Sequence, residues 1–158
     1  MPLPREATSD DAALLARLLR ESFEEYRGRL EPPSSAHGKT EAAVRRELED
    51  GGALVSETDT GDPVGCVFFH VKPDHVYLDR LAVLPAHRGR GLARLLVDAV
   101  EARARAAGRD RVRLSVRLAL KNHHVWYGRL GYQLHSQGTH PGFPAPTFLV
   151  LEKHLCVE

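Results

Sequence analysis

The sequence predicts an α/β fold with a mixed central sheet flanked by helices, and three observations carry that reading. Val76–Leu84, Arg90–Ala107 and Arg111–Val116 read as a strand, a helix and a strand, which implies a parallel pair joined by a right-handed crossover. Ala53–Glu57 and Val64–Val71 flank the turn TDTGD and read as an antiparallel hairpin. The chain has 158 residues, 42% apolar and 27% charged, enough for one soluble globular domain with its own core. Residues 1–158 are therefore expected to form one domain, with no internal repeat or linker.

Each element has a local reason. Residues 3–7 are a short first strand. From Asp10 to Tyr26 the apolar positions Ala13, Leu14, Leu18, Leu19 and Phe23 keep helical spacing, with Thr8 or Ser9 as a cap. RGRLEPPSSAHGK then breaks the helix with glycine, paired prolines and serines. A shorter helix runs from about Thr40 to Leu48 and stops at Gly51-Gly52. VYLDRLAVL is apolar on both faces and reads as a central strand. The long helix after it carries Leu92, Leu95, Leu96 and Ala99 as one stripe and ends at Gly108. A short helix near His123–Leu130 ends at Gly131, and Tyr132–Ser136 and Thr147–Glu152 are the last strands. The loop QGTHPGFPAP between them is too long and proline-rich for a tight hairpin.

Composition narrows the function. A formal net charge of +1 is too small to argue for a nucleic-acid or membrane partner from the whole chain. Nine arginines nevertheless lie between Arg88 and Arg117, against Asp98, Glu101 and Asp110. Aromatic residues are only 6% of the chain, too sparse for the stacking surfaces of a basic nucleic-acid module. MPLPREATSDD lacks the apolar core of a secretory signal, and no apolar run approaches bilayer length. The expected setting is cytoplasmic. Cys66 and Cys156 show no CxxC spacing and are expected as two buried free thiols. Nine scattered histidines show no metal-ligand spacing, so no metal is expected.

HRGRGLARLL, residues 87–96, places Gly89 and Gly91 among arginines where a helix begins. A helix N-terminus already offers unpaired N–H groups and partial positive charge. Glycines there let a large anion approach the backbone. The triphosphate-loop pattern is absent, since no Gly-Lys-Ser/Thr triplet occurs. The dinucleotide pattern GxGxxG puts Arg94 in place of its third glycine and lacks the acidic residue that should end the second strand.

The third pattern is Arg88-Gly89-Arg90-Gly91-Leu92-Ala93 behind LAVLP, followed downstream by WYGRLGY. On these motifs, across roughly residues 76–132, the chain resembles the GNAT superfamily of N-acetyltransferases. The resemblance implies a single-domain GNAT-like fold whose parallel strands are splayed, and acetyl-CoA as co-substrate with no metal. It places the pyrophosphate on the backbone of Arg88, Gly89, Arg90, Gly91, Leu92 and Ala93. It places the pantetheine arm and thioester oxygen on the backbone of Leu81, Ala82 and Val83, where a fixed donor stabilises the tetrahedral oxyanion. By the same resemblance Tyr127 stands near the sulfur and protonates the leaving thiolate. The family's asparagine seven residues earlier is Leu120 here, leaving Asn122 as a substitute cofactor contact.

Many family members carry a glutamate base on the strand after the motif helix, where this chain has Ser115. Asp79 is the carboxylate of the central strand, two and four residues before Leu81 and Val83, and period two puts it on their face. It is the candidate base, or else it pairs with an arginine. His124 and His140 are further candidates, and the His123-His124 pair otherwise reads as solvated. Glu25, Tyr26 and Glu31 either meet a cationic amine or, as is more common for loop charges, are simply solvated. The expected reaction is acetyl transfer to a primary amine of a small molecule or peptide by direct attack in a ternary complex. The alternative is a non-catalytic acyl-CoA-binding or regulatory module of the same fold, which the serine at 115 keeps open. No membrane partner is expected, and a homodimer is among the assemblies open to it.

Overall fold

The computed structural model describes residues 2–156. Seven strands form one sheet: β1 (Arg5–Glu6), β2 (Gly52–Glu57), β3 (Pro63–Val71), β4 (Val76–Val83), β5 (Arg111–Arg117), β6 (Gln133–Gly138) and β7 (Phe148–His154). Their order is β1-β2-β3-β4-β5-β7-β6, antiparallel throughout except for the parallel pair β4–β5. Four α-helices flank the sheet: α1 (Ala12–Phe23), α2 (Glu41–Asp50), α3 (Leu92–Ala106) and α4 (Lys121–Arg129).

Helix ends follow local chemistry. Asp11 accepts a hydrogen bond from the Thr8 amide (2.8 Å) just before α1, and Thr40 caps α2 by accepting from the Ala43 amide (3.1 Å). Gly108, at φ +74°, takes the left-handed turn that ends α3. The sequence misses a 3-10 turn at Ser35–Gly38, where Ser34 caps a segment too short for helical periodicity.

Two apolar layers sandwich the sheet. Leu15, Leu18 and Leu19 of α1 and Val44 of α2 pack on Val55, Cys66 and Phe68. On the other face Leu96, Val97 and Val100 of α3 pack on Leu54, Val67, Val76 and Leu114. Burying each such side chain contributes about 1.5–3 kcal/mol, which is why the sheet centre rather than its edges fixes the register. Cys156 is exposed, against the expectation of two buried thiols, because it lies beyond the last strand. Cys66 is fully buried and its thiol is pushed up to about 12 by desolvation.

Two departures from regular sheet geometry make the functional region. β4 and β5 pair only at Val76↔Val112 and Tyr77↔Arg113, so they diverge for the rest of their length into a fork. The expected splay is present. β4 also carries a bulge: Cys66↔Ala82 and Phe68↔Asp79 set three steps on β4 against two on β3. Arg80 occupies it at φ 51°, a left-handed conformation costing an L residue about 1–2 kcal/mol. Its guanidinium offsets that cost by bonding Glu47 (2.9 and 3.0 Å), Asp79 (3.2 Å) and Ser35 (2.9 Å).

The bulge overturns one expectation. Val76 and Leu78 pack toward α3, but beyond Arg80 it is Leu81 and Val83 that do so, while Ala82 faces α1. Asp79 therefore lies on the sheet face opposite Leu81 and Val83, because the extra residue reverses the strand's alternation.

Candidate active site

The fork between β4 and β5 opens into two adjoining cavities. The smaller, about 240 Å³, is lined by Leu81, Ala82 and Val83 on one side and by Arg88, Ala93 and Trp126 on the other. The larger, about 450 Å³, is walled by Tyr77, Asp79, Ser115, Arg117, Leu120 and Phe148, among others. Phe23, Leu81, His123 and Tyr127 line both and mark the junction.

Beside the smaller cavity the chain turns from β4 into α3. The amides of His87 and Arg88 bond to the carbonyls of Leu84 and Pro85, and regular helical bonding resumes when the Leu95 amide bonds to Gly91. The six amides between, Gly89 to Arg94, have no acceptor among the described residues. Such a row at a helix N-terminus is an anion site. Gly89 and Gly91 sit at φ +79° and +80°, and a Cβ on either would meet no protein atom within 4 Å. Conformation, not protein crowding, requires glycine there, and the space in front of the amides is open. The residues fit a pyrophosphate.

Arg88 departs from its expected part. Its amide is taken by Pro85 (3.3 Å), so the free row begins at Gly89 and extends one residue past Ala93. Its side chain ties the fork to α1 instead, donating to the carbonyls of Val83 (3.0 Å) and Ser22 (3.2 Å) and pairing with Glu25. Glu25, so paired, lines neither cavity. The Val83 carbonyl thus already accepts one hydrogen bond, from Arg88. Beyond Tyr77 the edge of β4 that faces β5 has no strand partner, which leaves the Leu81 and Ala82 backbone at the cavity wall.

Tyr127 is 7% exposed, its ring against Trp126 (centroids 4.9 Å) and Tyr132 (5.7 Å). Tyr132 is itself anchored, donating to buried Glu101 (3.0 Å), which also pairs with Lys153 (2.9 Å). Burial pushes the Tyr127 phenol above its ordinary value, so it stays protonated across the neutral range. Asn122 lies exposed in the first turn of α4 and lines neither cavity. Leu120, at the family's asparagine position, walls the larger one.

Asp79 is the one carboxylate lining the larger cavity, and it is paired with Arg80 (3.2 Å). Lys39 and Glu47 complete a chain of four alternating charges with them. His124 is turned away, its Nε2 donating to the Arg117 carbonyl (2.8 Å), while His140 lines the larger cavity and bonds Thr147. Glu31 is exposed and lines neither cavity.

His123, Tyr77 and Arg117 were not legible as site residues. His123 lies at the junction, its Nε2 3.2 Å from the Tyr26 hydroxyl, and burial with nearby His124 presses its pKa below the ordinary value. Tyr77 donates to Ser115 (2.7 Å) across the fork. A period-two reading outward from Asp79 and Ser115 would have reached Tyr77 and Arg117. For His123 the sequence offers no comparable signal.

Comparison with known proteins agrees with this geometry. The model of the acetyltransferase (GNAT) family matches residues 14–132. PaiA N-acetyltransferase from Thermoplasma acidophilum, solved in complex with coenzyme A, superposes with a TM-score of 0.81 at 19% identity, covering 98% of this chain and 99% of that one. A GCN5-related N-acetyltransferase from Rhodopseudomonas palustris gives 0.76 at 24% identity, covering 98% and 99%. A GNAT family acetyltransferase from Elizabethkingia anophelis with acetyl-CoA bound gives 0.61 at 12% identity, covering 73% and 84%. Among the described residues no helix is long and apolar enough to cross a membrane, and no three acidic, histidine or cysteine side chains cluster as metal ligands.

Proposed function

The chain belongs to the acetyltransferase (GNAT) family, and we propose from that premise that it transfers the acetyl group of acetyl-CoA to a primary amine by direct attack. The observation that carries this reading is the single junction of the two cavities. A thioester laid along the smaller cavity would present its carbonyl beside Leu81 and Tyr127, where the larger cavity delivers an acceptor. Coenzyme A and acetyl-CoA are bound in two of the structural relatives, and the row of free amides from Gly89 to Arg94 suits the same pyrophosphate here.

Asp79 gives the ammonium a counter-charge. His123, neutral near pH 7, takes its proton through the ring nitrogen not engaged with Tyr26. The amine nitrogen then attacks the thioester carbon, and free backbone N–H of β4 steadies the oxyanion. The C–N bond forms, the C–S bond breaks, the thiolate takes the Tyr127 proton, and the second proton of the attacking nitrogen returns to the tyrosinate. A buried phenol is a weaker acid than a free one, but the same dry groove raises the proton affinity of the thiolate, so the pair stays matched.

Buried Cys66 and exposed Cys156 lie outside both cavity linings, which supports direct transfer without an acetyl-cysteine intermediate. The test is thiol release from acetyl-CoA across a panel of amines, amino acids and peptide N-termini, with mass spectrometry of the product. N-acetylated product supports the reading. Tight acetyl-CoA binding with no transfer to any acceptor would favour the non-catalytic module.

A further inference from the structure

We propose that the acceptor is an amino acid whose free carboxylate is held by Arg117, so that the larger cavity selects a zwitterion. The proposal rests on the acetyl-transfer reading and deepens it. Lys39, Glu47, Arg80 and Asp79 form a chain of alternating sign in which Arg80 is flanked by two carboxylates, while Asp79 stands at the cavity end with Arg80 as its one ion-pair partner among the described residues. Arg117 is the remaining arginine of the cavity wall, and no carboxylate lies within 4.0 Å of it among the described residues. It ends β5, on the strand facing Asp79 across the open fork.

Its guanidinium is held in place. One terminal nitrogen donates to the Pro32 carbonyl (2.7 Å) and the other makes a long contact to Pro33 (3.5 Å), while Nε has no protein acceptor. Of five N–H groups, two are committed to the loop at Pro32 and Pro33. The others remain for a planar oxyanion, which a guanidinium binds through two parallel hydrogen bonds. Nearby His140 supplies no negative charge, and desolvation and the Arg117 charge press its pKa down. Desolvation likewise pulls the Arg117 pKa below its ordinary value, so an arriving carboxylate relieves an uncompensated cation.

Asp79 on β4 and Arg117 on β5 thus offer opposite charges to the two ends of a zwitterion. Phe23, Leu30, Leu120 and Phe148 line the same cavity and suit an apolar side chain between them. A polyamine or other purely cationic acceptor would meet like charge at Arg117.

The experiment compares apolar L-amino acids, each beside its amide and its decarboxylated amine, with spermidine as a cationic control. Two readouts are taken on the full chain: N-acetylation kinetics, and the thermal shift each acceptor adds in the presence of coenzyme A. The expected result is a kcat/KM for the best amino acid about 10–100-fold above its amide and its amine, the scale of losing hydrogen bonds to a charged group. Arg117→Gln should erase that preference through KM with kcat nearly unchanged, and Arg117→Lys should restore part of it. If amides, amines or spermidine are acetylated as well as the amino acids, or Arg117→Gln leaves the preference intact, Arg117 merely anchors the loop and the proposal is overturned while acetyl transfer stands. If nothing is acetylated, the acetyl-transfer reading fails. The thermal shifts then still decide the carboxylate claim: equal shifts for amino acid and amine overturn it.

Discussion

The two arms of the fork are built from different parts of the polypeptide. The arm proposed for the coenzyme is mostly main chain: a splayed strand edge and six free amides opened by Gly89 and Gly91. The arm proposed for the acceptor is mostly side chain, contributed by α1, β4, β5, α4, β7 and the loops between elements. Main-chain donors can be aimed at a pyrophosphate by a short local motif, because conformation alone sets their direction. A side-chain pocket needs residues far apart in sequence and can be changed one substitution at a time. One arm is thus suited to a fixed ligand and the other to a variable one.

The division breaks most sharply at Gly91. Gly91→Glu puts a side chain and a negative charge where the anion lies, and should abolish acetyl-CoA binding and its thermal stabilisation. Gly91→Ala separates shape from charge, since φ +80° makes any Cβ strained by about 1–2 kcal/mol while no protein atom blocks it. It should weaken binding without abolishing it. Normal acetyl-CoA binding by a folded Gly91→Glu protein would end the main-chain account of this arm.

The next effect falls at the junction. With its pKa pressed below 6.5, His123 is protonated only at acidic pH, so kcat/KM should rise with pH through a midpoint under 6.5. His123→Gln should lower turnover by about 10²-fold and remove that limb. A retained limb would assign proton removal elsewhere. Asp79→Asn should act mainly on KM, by about tenfold, with little change in acetyl-CoA affinity. A fall in kcat with a shifted pH profile would make Asp79 the base rather than the counter-charge.

The smallest effect is a control on the shared scaffold. Cys156 should react with a thiol reagent at pH 8, and Cys66 should not until the protein unfolds. Rapid labelling of both in the native protein would mean that the face of the sheet bearing α1 opens easily.

Legibility followed the same division. The parallel pair, the glycine turn and the row of free amides were readable because each depends on residues close in sequence. The bulge was not, since VYLDRLAVL has the regular pattern of an unbroken strand and the charges that stabilise Arg80 come from α2 and the loop before it. That single extra residue moved Asp79 to the other face. Arg88 was legible as part of the motif but not as a tie to Ser22 and Glu25, 66 and 63 residues earlier in the chain. Asn122 misled because counting back from Tyr127 does not show where the first turn of α4 points.

The central claim is that Tyr127 stands where the two arms meet and acts in the chemistry rather than in holding either ligand. Tyr127→Phe keeps the ring against Trp126 and Tyr132 and removes only the hydroxyl. The decisive measurement is kcat for this variant beside its acetyl-CoA Kd and acceptor KM, with folding checked by its melting temperature. The account predicts a fall in kcat of about 10²-fold, the low end for loss of a general acid because a thiol leaves readily, with both binding constants unchanged. Wild-type turnover would contradict it and leave Tyr127 as a wall of the groove.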